Sequence, residues 1–165
     1  ANVAHAWNIV RLDGNYYLAD PTWGDAKLED GTEYTSHSWL FLDDAAFEET
    51  HTPYLDGTNY PLPECDSYIQ NYFVKTETLV SAPGQPERAA ALTNAFNQAA
   101  ANGYTVAQIA FDEGISPAPY LEDDSLDRLA RRIAARKGMK IYGRSQERSG
   151  QVISYFIEPK EQEAR

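Results

Sequence analysis

Cysteine, histidine and basic residues are scarce in this chain, and each scarcity excludes something. A single cysteine among 165 residues rules out an intrachain disulfide. The three histidines, His5, His37 and His51, include no pair at the i, i+3 or i, i+4 spacing of a helical metal site, so metal binding is not expected. Lys and Arg total 14 against 25 Asp and Glu, and a net charge of −11 repels phosphate backbones, which argues against nucleic acid as a partner. An anionic membrane is an equally poor match, and no apolar run approaches the roughly 20 residues that a membrane helix needs. What the chain does have is 42% apolar residues, with eleven tyrosines and three tryptophans, enough to build a core. Its length suits one domain or two small ones.

The most informative stretch is Ala4–Asp25. Two apolar runs, His5–Leu12 and Tyr16–Ala19, flank Asp13-Gly14, and Asp-Gly between such runs predicts an antiparallel hairpin closed by a two-residue turn with positive φ at both positions. With those two residues as the loop, Leu12 faces Asn15, Trp7 faces Asp20 and His5 faces Thr22. His5 and Asp20 are then diagonal neighbours on one face, about 7–8 Å apart at the backbone and within reach at the side-chain tips. A three-residue loop would send them to opposite faces, because side chains alternate with a period of two. A carboxylate against one imidazole nitrogen fixes the tautomer and leaves the other nitrogen free to take a proton from a nucleophile. The plainer alternative is a half-buried histidine at a strand start and an aspartate that caps the turn before Pro21.

The wording around the pair goes further. His5-Ala-Trp-Asn-Ile-Val, Asp13-Gly-Asn-Tyr-Tyr-Leu and Asp20-Pro-Thr-Trp closely resemble the core of the transglutaminase-like family, whose papain-like domains carry Cys, His and Asp in that chain order. The resemblance is strong over Val3–Asp25 and weaker through Ser36–His51 and Pro61–Phe73, and beyond Val80 it is too loose to use. It implies that His5 is the general base and Asp20 the orienting acid, with Trp7 and Trp23 as walls of the substrate site. It also implies a protein or peptide substrate, no cofactor, and an extracellular or cell-surface location. His37 lies where the family wording places a histidine, but a structural role is the expectation for it and for His51.

One departure from the family is serious. Its nucleophilic cysteine lies at a helix N-terminus some tens of residues before the histidine, and only four residues precede His5. The sole cysteine, Cys65, follows the pair in Pro61-Leu-Pro-Glu-Cys-Asp, with no adjacent cation and two flanking acids that raise a thiol's pKa. It is expected to be structural. The chain is therefore expected to be part of a longer protein and to be inactive alone. Uncovered apolar residues near Ala4, Trp7 and Ile9 would then promote association between copies. The expected activity of the parent is acyl transfer or amide hydrolysis through a cysteine thioester. The alternatives are a non-catalytic binding or scaffolding protein of the same fold, or a cysteine protease or amidase.

Downstream, Gly24–Thr35 reads as a charged surface loop and Ser36–Leu42 as a strand. Asp43 or Asp44 is placed to cap a short helix through Glu49 with Phe47 turned inward. Thr52–Pro63 is loop, and Tyr68–Val80 reads as a long strand. Ser81-Ala-Pro-Gly-Gln-Pro is a boundary, followed by a helix over Glu87–Asn102, a strand over Tyr104–Phe111, a helix from Asp123 or Asp124 to Lys137, and strands over Met139–Arg144 and Gln151–Glu158, with a loose tail after Pro159. The basic residues of the second helix read as a solvated face. The predicted fold class is α+β: an antiparallel sheet from part of a papain-like transglutaminase core over residues 1–80, then a small two-layer α/β accessory domain over 81–165.

Overall fold

Asp13 and Gly14 adopt left-handed backbone, with φ of 50° and 89°, and close a two-residue turn between β1 (Asn8–Leu12) and β2 (Asn15–Ala19). A computed structural model describes residues 4–53 and 61–159. Val3, most of the loop expected over Thr52–Pro63 and the tail after Pro159 lie outside the described residues. In the hairpin Leu12 pairs with Asn15 and Asn8 with Ala19, so the loop is even. β2 also pairs with β5 (Leu40–Leu42), antiparallel and with a register shift between Leu18 and Ala19. Contacts divide the chain into two compact units, Ala1–Lys75 and Thr76–Arg165.

The core of the first unit gathers Leu18, Trp39, Leu42, Phe47 and Cys65, with Trp7 and Ile9 half-buried against it. After β2 comes α1 (Pro21–Gly24), a single turn, and then a small hairpin of β3 (Asp25–Lys27) and β4 (Glu33–Thr35). The expected loop over Gly24–Thr35 is thus partly sheet. Asp30-Gly31, with Gly31 at φ 89°, supplies the turn, and Lys27 pairs with Glu33 across it at 3.4 Å. The expected strand over Ser36–Leu42 shrinks to β5, because Ser36 Oγ accepts the Ser38 amide and the Leu40 amide bonds to the His37 carbonyl, a local turn that competes with extension. α2 (Asp44–Glu48) starts on Asp43, whose carboxylate accepts the Ala46 amide, and it buries Phe47.

Tyr68–Val80 is not one strand. It forms α3 (Tyr72–Lys75) and β6 (Leu79–Val80). The Asn71 side chain accepts the Phe73 amide and donates to the Leu40 carbonyl, which starts a helical turn where the alternation of residue types suggested extension.

The second unit continues from β6 through α4 (Gln85–Asn102), β7 (Val106–Phe111), α5 (Ala118–Glu122), α6 (Ser125–Arg136), β8 (Met139–Glu147) and β9 (Val152–Pro159). Its sheet runs β6-β7-β9-β8; β6 and β7 are parallel and the other neighbours antiparallel. Gly103 ends α4 in the left-handed region at φ 67°, a conformation that costs glycine nothing because it has no Cβ. α4 and α6 bury Leu92, Phe96, Leu126 and Ala130 with Ile109 and Ile153 of the sheet. Tyr155 of β9 donates its hydroxyl to Asp127 Oδ1 at 2.8 Å, and Arg144 of β8 meets the other oxygen at 3.2 Å, so the polar groups beneath α6 are paired. Helices together with antiparallel and mixed sheets make the architecture α+β. Among the described residues, no helix is long and apolar enough to cross a membrane.

Candidate active site

The β1–β2 ladder ends at Asn8–Ala19, so the expected pairs Trp7–Asp20 and His5–Thr22 do not form, Thr22 being drawn into α1. His5, before β1, and Asp20, after β2, nevertheless meet, with Nε2 of His5 2.5 Å from Oδ2 of Asp20. Asp20 is buried, whereas the His5 side chain is 25% exposed. Its other ring nitrogen, Nδ1, makes no hydrogen bond to any described residue.

Asp20 serves the backbone at the same time. It is the N-cap of α1, its Oδ1 accepting the amides of Thr22 at 3.0 Å and Trp23 at 3.1 Å, while Pro21, which has no N–H, occupies the first helical position. Capping and imidazole pairing, alternatives when only the sequence is read, therefore coexist on different oxygens of one carboxylate.

A third group was not foreseen as part of this cluster. His51, buried just after α2, places Nε2 3.0 Å from the same Oδ2, and its Nδ1 lies 2.9 Å from Thr50 Oγ1. Burial alone would raise the Asp20 carboxyl. Hydrogen bonds from His5, His51 and the Trp23 amide outweigh that and hold it below the ordinary carboxylate range.

Aromatic rings fix both imidazoles. Trp23, itself 40% exposed, stacks on His5 with ring centroids 5.5 Å apart, and Trp7 lies at 6.5 Å. Phe47 stacks on His51 at 3.9 Å, and Trp7 meets it edge-on at 5.1 Å. Trp7 and Trp23 thus border the pair.

The two remaining residues of interest stand apart. His37 stacks on Tyr72 with centroids 3.7 Å apart and is not part of the Asp20 cluster. Cys65 packs in the core, its amide held by Asp44 Oδ2 at 2.9 Å, and burial together with Asp44, Asp66 and Asp43 pushes its thiol up to about 11. A nucleophile needs the opposite surroundings.

Spacing along the chain also concealed a possible ligand set. One atom each from His5, Asp20 and His51 lies within 4.8 Å of the others, although no two of these residues share a helix. Compared with known proteins, the chain matches no protein-family model and no curated protein.

Proposed function

We propose that this chain supplies the base and the orienting acid of a transglutaminase-like Cys-His-Asp site that works through a cysteine thioester on a protein or peptide amide. The observation that carries the proposal is the 2.5 Å contact between His5 Nε2 and Asp20 Oδ2, with Nδ1 of the same ring left for a nucleophile. Cys65, the only cysteine of the 165 residues, is buried and has its thiol pushed up to about 11, so on this reading the thiol comes from outside these residues.

The chemistry follows from which nitrogen has no partner among the described residues. Nδ1 of His5 takes the thiol proton, and the thiolate adds to the amide carbonyl. The imidazolium then returns the proton to the departing amine as the C–N bond breaks, leaving a thioester. An incoming amine or water gives its proton to His5 as it attacks the thioester, and the adduct expels the thiolate, which takes that proton back from the imidazolium. Through these steps Asp20 stabilises the charged ring and keeps its tautomer.

The test is amine incorporation or ammonia release by a polypeptide that joins this chain to its thiol-bearing segment. His5→Ala and Asp20→Asn are each expected to cost about 10²–10⁴-fold in rate. The 165 residues alone are expected to give neither product. Activity from them that is abolished by alkylating Cys65 would overturn the proposal, as would a reading frame with no further cysteine.

A further inference from the structure

We propose that Nε2 of His5, Nε2 of His51 and Oδ2 of Asp20 form a three-ligand site for a borderline divalent ion, with Zn²⁺ as the best match. Two imidazoles and one carboxylate are the donor set that zinc takes when it keeps a fourth position open. Calcium and magnesium, which prefer oxygen alone, are poorly served by two nitrogens.

One ligand atom from each of the three residues lies within 4.8 Å of the others, and the site has to open around Oδ2 to take an ion. Tetrahedral zinc with bonds of about 2.0–2.1 Å keeps its ligand atoms roughly 3.3–3.5 Å apart. His51 Nε2 already sits 3.0 Å from Oδ2, while His5 Nε2, at 2.5 Å, has to withdraw. That movement falls on the freest of the three groups. His5 precedes β1 and its side chain is 25% exposed, against 2% for His51 and 0% for Asp20.

The surroundings already orient the donors. Thr22 and Trp23 occupy Oδ1 of Asp20 through their amides, so the carboxylate offers Oδ2 alone and would bind through a single oxygen. Thr50 suits either tautomer of His51. Without an ion its hydroxyl donates to Nδ1, and Nε2–H donates to Asp20. With an ion on Nε2, the ring proton sits on Nδ1 and donates to Thr50 Oγ1, whose own hydrogen turns to the Phe47 carbonyl at 3.5 Å. A neutral ring loses no proton in this exchange; the proton moves from one nitrogen to the other.

The consequence for acyl transfer, and only this consequence, rests on the function proposed above. An ion on Nε2 of His5 leaves the ring proton on Nδ1, the nitrogen that would have to accept one from a thiol, so the loaded site is an inhibited site.

The experiment is calorimetric titration of the tag-free 165-residue chain, dialysed against a chelator, with zinc chloride, accompanied by the visible absorption spectrum of the Co²⁺ form. One ion per chain, with a Kd of about 1 μM or tighter, is expected. His5→Gln and His51→Gln should each weaken binding by at least about 10-fold, and Cys65→Ser should leave it unchanged. If buried His51→Gln fails to fold, as judged by near-ultraviolet circular dichroism, His5→Gln decides the matter. No binding at about 0.1 mM zinc, or equal affinity in wild type and His5→Gln, overturns the proposal. No thiol or acyl substrate enters these measurements, so their failure and the failure of the acyl-transfer proposal are separate results.

Discussion

His5 and His51 share one acceptor. Both Nε2 atoms point at Oδ2 of Asp20, at 2.5 Å and 3.0 Å, and the two ring centroids lie 5.8 Å apart. That carboxylate meets two backbone amides and two imidazoles, so it is the natural first target for substitution.

Asp20→Ala is expected to destabilise the chain by about 2–4 kcal/mol. Losing the cap of α1 accounts for about 1 kcal/mol, and the unpaired nitrogens of two imidazoles, one of them fully enclosed, account for the rest. Asp20→Asn keeps an oxygen for the Thr22 and Trp23 amides and should cost less. Urea unfolding of the three proteins checks the order, and equal losses in the two variants would show that the cap contributes little.

Acid should erase the part of the Asp20 contribution that depends on its charge. The folded-state value lies below the ordinary 3.8, so the contribution is complete above that pH and is lost as pH falls through the folded value. The stability gap between wild type and Asp20→Asn is therefore expected to narrow below pH 3.8. Unfolding curves taken across the acid range test this, and a gap that widens there would contradict the sign.

Cys65 should resist alkylation in the native chain at neutral pH and react once urea unfolds it. Its thiol is pushed from 9.0 up to about 11, first by burial and then by Asp44, Asp66 and Asp43. A raised value means that the stability tied to the neutral thiol is complete below 9.0 and is lost as pH rises toward about 11. Cys65→Ala should lack that alkaline loss, which unfolding experiments on the pair will show.

In the second unit, Tyr155→Phe removes a buried hydroxyl from Asp127 and leaves the carboxylate to Arg144. A loss of about 1–3 kcal/mol is expected, since Asp127 is itself buried. Thermal or urea unfolding reads it directly.

Local signals in the sequence carried far, but they stopped where tertiary contact began. Asp13-Gly14 dictates an even turn, which the structure has, and His5 does meet Asp20, but beyond the last ladder pair Asn8–Ala19, where the cap of α1 and not strand register sets the position of Asp20. Asp43 with Phe47 and the end of α4 at Asn102 were legible from such local signals, each being defined within a few residues. His51 was not. It meets Asp20 across 31 positions of sequence, a contact made by where α2 ends in space, and no spacing between histidines along the chain marks it. The regions around Ser36 and Asn71 failed in the other direction, because their side chains bond to nearby amides and turn the backbone where residue type favoured extension. The β3–β4 hairpin turned by Asp30-Gly31 lay hidden because the charged stretch Gly24–Thr35 reads as surface loop.

The two oxygens of Asp20 divide their labour, Oδ1 holding the first amides of α1 and Oδ2 holding the rings. Chemistry at the rings can thus be rewritten without unpicking the scaffold. A proton, an ion or a different side chain arriving at Oδ2 exchanges partners on one lone-pair set, while the backbone keeps its anchor on the other.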